Sequence, residues 1–221
     1  NLADGNRTLL TESGRSKSKG PMQFGYLEAS YEIDTLNLLS VGVNLFRGNF
    51  TSYSELDADL NELGSGENPL VYSYFRNSTS KSTFGSTDIN VDYQHSTSKK
   101  DELLTLSYRF SRSPNDNESN TELSDVVSYY LANEYPKWNI NDAATVEHTA
   151  QVDYTTPLFK THTLEAGVKY INRRNSSNTL EQIFNDSTNV WEDHSDEVSD
   201  FRHVQHIYSA YLGYLMRLGK F

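Results

Sequence analysis

Apolar and polar residues alternate with period two along most of the chain, and the 3.6-residue spacing of helices is almost absent. That pattern predicts strands with one apolar and one polar face. The first stretch, about 23–33, sets Leu27, Ala29, Tyr31 and Ile33 against Tyr26, Glu28, Ser30 and Glu32. After a short link at 34–37, residues 38–50 set Leu39, Val41, Val43 and Leu45 against Ser40, Gly42 and Asn44, which predicts a tight hairpin. Five more strands are expected near 83–95, 103–112, 144–155, 163–173 and 202–217. The segments 51–80, 113–143 and 175–200 are polar and rich in turn residues, and they read as long loops.

The links between these strands run short, long, short, long, short, long. A soluble antiparallel sheet with one wet face gives the same alternation within strands but not this rhythm of links. A transmembrane barrel gives both, because lipid offers backbone groups no partner and the turns are short on one side and long on the other. Strands of this length match the 9–11 residues, roughly, that a tilted strand needs to cross a bilayer. Tyr31, Tyr93, Tyr154 and Tyr214 close the apolar faces near the short turns, where an aromatic girdle would sit. The opposite face would then line a wet or plugged lumen, and its expected members include Asp88, Asn90, Asp92, Gln94, Glu147, Gln151 and Asp153. The fold expected is all-β, an antiparallel up-and-down meander of about seven strands. Residues 1–221 would form one part of a large transmembrane β-barrel. Closed single-chain bacterial barrels use an even number of strands, so at least one further strand is expected to follow.

Composition agrees. Only 36% of the 221 residues are hydrophobic, while 27 Ser, 18 Thr and 20 Asn accompany 15 Tyr, too little apolar surface for a globule of this size and too many aromatics for a disordered tract. The net charge of −11 excludes nucleic acid as a partner held by phosphate neutralisation. Without cysteine there is no disulfide framework and no thiol chemistry.

Candidate chemistry is sparse. His203 and His206, with His194 nearby, have opposite parity on a strand and would point to opposite faces, so no metal site is expected there. The acidic run through Glu192, Asp193, Asp196, Glu197 and Asp200 lacks the spaced ligands and glycine of a calcium loop. No nucleophile elbow, phosphate loop or zinc motif occurs, so neither an enzyme nor a cofactor is expected. The better candidates for ligand contact are aromatics in the long segments, Tyr72, Tyr74, Phe75, Tyr129, Tyr130, Tyr135, Trp138 and Trp191, expected to gather at one barrel mouth.

Three runs carry a family resemblance: 31–40 as strand, turn and strand; 164–170 after a short turn; and 207–211 followed by Leu218, Gly219, Lys220 and Phe221. In these the chain resembles the TonB-dependent-receptor-like outer-membrane β-barrels of Bacteroidota, from about residue 20 onward. The resemblance implies location in the cell outer membrane, with the lipid bilayer as partner and a large barrel filled by an N-terminal plug. It also implies uptake of a nutrient driven by a TonB-type energising complex through regions outside this chain. It leaves room for a surface lipoprotein as a further partner. A different reading of the same alternation is a soluble, non-transporting surface binding or adhesion module.

Overall fold

Seven strand positions lie side by side in one antiparallel sheet, each joined to the next by a hairpin. The computed structural model describes residues 7–64, 68–159, 161–194 and 198–216. One edge position holds β1 (Arg7–Lys19) and β2 (Met22–Glu32) end to end, both paired with β3 (Asn37–Leu63). Next come β4 (Leu70–Ser96), β5 (Leu103–Val127), β6 (Lys137–Phe159) and β7 (His162–Asn185). The last position holds β8 (Val190–Asp193) and β9 (Ser199–Met216), both paired with β7. β1 and β2 keep one register, with Lys19 opposite Thr51 and Met22 opposite Gly48. The break between them falls at Pro21, which has no N–H to give the ladder and whose carbonyl accepts from the Asn49 N–H at 3.1 Å.

The register brings the apolar positions of every strand into line. Ala29, Val41, Val91, Tyr108, Ala150, Tyr170 and Tyr208 form one row across the sheet, and Tyr31, Leu39, Tyr93, Leu106, Val152, Val168 and Ala210 form the next on the same face. The row between them points the other way and reads Ser30, Ser40, Asp92, Ser107, Gln151, Lys169 and Ser209. A one-residue slip of any strand would exchange its two faces, so the pattern itself fixes the register.

Among the described residues no second layer covers the apolar face. Among the described residues only Ala58 and Tyr74 are buried apolar side chains, and neither lies in the apolar band. Leu27, Tyr31, Tyr208 and Leu212 are each more than 60% exposed. Water-soluble domains bury a sheet's apolar face against another layer, so a single sheet with such a face open requires an apolar solvent. Polar tips on that face satisfy one another: the Tyr108 hydroxyl and His148 Nδ1 share a hydrogen bond of 2.8 Å, as do Tyr170 and His206. The tyrosine girdle is present but staggered. Tyr31 and Tyr93 share a row, Tyr154 lies one row nearer the short turns and Tyr214 two rows nearer, as tilted strands require.

The three segments expected as loops, 51–80, 113–143 and 175–200, are corrected by the structure: most of their described residues are strand. β3 and β4 each run 27 residues, β5 25, β6 23 and β7 24. The apolar face ends at the row of Leu45, beyond which the same face carries Arg47 and Arg202, then Asp116, Asp142 and Asp200. The ladders continue past this boundary without the apolar alternation on this face, so the hairpins stand well clear of any bilayer. β1 was not expected at all, for the same reason: apart from Leu9 and Leu10, Arg7–Lys19 is polar on both faces, and it pairs with the extended part of β3. β6 also runs past the expected 144–155, through Pro157 to Phe159 with a register shift.

Turn chemistry follows residue type. Asn68, Asp101 and Asn189 take positive φ at hairpin ends, where Asn and Asp are tolerated. In the link after β2 the Asp34 carboxylate accepts from the Leu36 N–H and the Asn37 side-chain amide, each at 2.8 Å, which holds its carboxyl below the usual range.

Candidate functional site

The polar face is the richest chemical surface of the molecule. Asp88, Asn90, Asp92, Gln94, Glu147, Gln151 and Asp153 all lie on it by register, together with residues that sequence alone did not connect to them. Arg109 donates to Asp88 at 2.7 Å and Arg173 to Glu147 at 2.8 Å, each across one ladder. Ser107 donates to Asp92 at 2.5 Å, and the Gln151 amide reaches both oxygens of Asp153 on its own strand. Tyr211 of β9 completes this network by donating to Asp153 at 2.7 Å. No buried side-chain polar atom of the described residues lacks a partner. A face of this kind is fixed in place yet presents charge and hydrogen-bonding groups to whatever stands before it.

Farther along the same face, away from the short turns, lies an aromatic patch that alternation did not single out. Phe84 stacks on Phe50 with ring centres 5.7 Å apart and meets Phe46 at 5.8 Å. It lies over Gly48, where a Cβ would come within 2.8 Å of the ring, so only glycine leaves room. Phe24, 90% exposed on β2, shares the row of Phe46.

The expected ligand aromatics all lie on the extended hairpins, at the end of the sheet away from the short turns, and are divided between its two faces. Tyr72 and Tyr74 stack at 6.1 Å on the extended part of β4, on the polar face, while Phe75 points to the opposite face. Tyr129 and Tyr130 sit in the one-turn 3-10 helix Tyr129–Ala132, and Tyr129 meets Tyr135 edge-on at 6.5 Å. Trp138, on the face of Arg112, is held by Glu118 at 3.3 Å, and Trp191 of β8 packs on Phe184. The segment after β5 folds back onto β4 through the Arg76–Glu134 ion pair of 2.9 Å. Beside that pair burial pushes the Tyr74 phenol up. His203 and His206 lie on opposite faces, His203 stacked on Phe201 and His206 bonded to Tyr170. In the acidic run Glu192 accepts from Asn185 and Asp193 from Gln182, while Asp196 and Glu197 lie outside the described residues, as do Leu218, Gly219, Lys220 and Phe221.

A family model described as the outer membrane protein β-barrel family matches residues 95–221, from the end of β4 onward. The chain belongs to this family. An outer membrane β-barrel therefore accounts for the open apolar face, which meets lipid hydrocarbon, and locates the protein in the outer membrane. No curated protein and no solved structure matches the chain.

Proposed function

We propose that this chain is part of the barrel of a TonB-dependent receptor that takes up a nutrient across the outer membrane, and that it carries no enzymatic activity. The observation that carries this reading is the charged, internally bonded polar face built on Asp88–Arg109, Glu147–Arg173 and Asp153–Tyr211. Small barrels fill their interior with their own side chains, whereas a rigid charged wall suits a wide lumen holding a polar occupant. In this picture the polar face lines the lumen and meets a plug or the translocated solute. The extended hairpins, with Tyr72, Tyr74 and the segment 128–136, meet the ligand first. A TonB-type complex and a surface lipoprotein act through parts beyond this chain.

The test is energised uptake by cells carrying the full-length protein. Solute bound at the surface should enter only while the inner-membrane proton gradient is intact, and a protonophore should abolish entry while leaving binding unchanged. Entry insensitive to the protonophore would contradict the energised mechanism. Binding without entry under any condition would replace it with a surface binding role.

A further inference from the structure

The ladder between β4 and β5 opens at one place on the apolar face. Phe84 pairs with Asn115 and Thr87 with Arg112, while Gly85 and Ser86 leave the ladder opposite Ser113 and Pro114. Pro114 has no N–H to donate. Gly85 is required by its neighbour, because a Cβ there would lie 2.3 Å from the Phe46 carbonyl oxygen. The result is a depression of about 590 Å³ lined by Leu45, Arg47, Gly85, Thr87, Arg112 and Asp116.

Register sets the height of this depression. Arg47 is opposite Gly85 and Arg112 opposite Thr87, so the two guanidinium groups flank β4 from its two sides where the apolar band ends. Val43, Ile89 and Phe110 lie one row into the band. The short links at 33–36 and 97–102 lie at the other end of the band, which assigns the arginines to the outer leaflet.

Their pairing is the second observation. Arg109 and Arg173, on the polar face, are each tied to a carboxylate, whereas Arg47 and Arg112 are exposed and have no carboxylate partner among the described residues. In a chain of net charge −11, that is a local excess of cation at the level of the outer-leaflet headgroups. Arg174 and Arg202, diagonal neighbours on the directly paired strands β7 and β9, lie in the same two rows of this face.

We propose that the depression binds the phosphate of an outer-leaflet lipid headgroup. Arg47 and Arg112 hold its oxygens from either side, as the planar guanidinium fork suits, and the acyl chains run along Val43, Ile89 and Phe110. Asp116 closes the rim on the side away from the bilayer and leaves the membrane side to the arginines.

The test uses the full-length protein in detergent micelles doped with phosphatidic acid, whose phosphate is bare, or phosphatidylcholine, whose phosphate carries a choline cation. Retained lipid is counted by native mass spectrometry. At about fivefold per arginine near an anionic surface, phosphatidic acid should be favoured by tenfold or more, and Arg47→Gln with Arg112→Gln should remove most of that preference. Should the double variant fail to fold, Arg112→Gln alone carries the test, with a loss of about fivefold. Equal retention of the two lipids, or an unchanged preference in the variants, would overturn the site. Displacement of the lipid by inorganic phosphate at equal concentration would assign a free-anion site instead and overturn the lipid as its occupant.

Discussion

Tyr211 of β9 donates a 2.7 Å hydrogen bond to Asp153 of β6, two strand positions away, by lying across Gly167 of β7. A Cβ at residue 167 would stand 2.2 Å from the Tyr211 ring and 2.5 Å from the Asp153 carboxylate, so the missing side chain is what lets the ring span the strand. Gly167→Ala should therefore displace Tyr211 and destabilise the barrel by about 1–3 kcal/mol, the usual cost of overpacking. Tyr211→Phe keeps the ring and loses only the hydrogen bond, so its effect should be smaller. Urea unfolding in detergent measures both, and a Gly167→Ala variant as stable as its parent would contradict the contact.

Glu102 in the β4–β5 turn accepts from Thr97 at 2.5 Å, Tyr154 at 2.6 Å and Thr156 at 2.8 Å. These donors, with Lys99 nearby, hold its carboxyl down to about 2 from an ordinary 4.5. A depressed folded-state pKa stabilises the native state fully above the unfolded value and loses that contribution as pH falls through the folded one. Stability should thus decline between about 4.5 and about 2, and Glu102→Gln should flatten that part of the profile. Identical acid profiles for the two proteins would contradict the role of this turn.

Ala150 sits in the middle of the apolar band between Tyr108 and Tyr170. Ala150→Arg should cost about 2–4 kcal/mol, as charge on a lipid-facing strand position does near the bilayer centre. Ser107→Arg, one row away on the polar face and beside Asp92, gains a carboxylate neighbour and should change stability by less than about 1 kcal/mol. Folding titrations into lipid vesicles give both values, and equal penalties would mean that the two faces do not differ in solvent.

What the sequence made legible follows the apolar band. Within it, lipid selects Val41, Val91 and Val152 on one face while water selects Ser40, Asp92 and Gln151 on the other, so all seven strand positions were readable. Beyond Leu45 both faces are wet, alternation vanishes, and strand residues such as 51–63 and 70–82 look like loop. The polar face was readable by parity, but its partnerships were not. Arg109 with Asp88, or Tyr211 with Asp153 over Gly167, depends on register between strands that single-strand periodicity does not carry. The arginine depression escaped for the same reason, since Arg47 and Arg112 are 65 residues apart and meet only around β4.

The central claim is that odd and even positions of one strand face different solvents. The chain contains no cysteine, so a nitroxide attached at Val91→Cys or Asn90→Cys reports one site at a time. In reconstituted membranes the label at 91 should be relaxed by oxygen dissolved in the hydrocarbon, and the label at 90 by a water-soluble nickel chelate. The labels at Ala150→Cys and Gln151→Cys should repeat the contrast. Access of the nickel chelate to both parities alike would contradict the account and return the sheet to water.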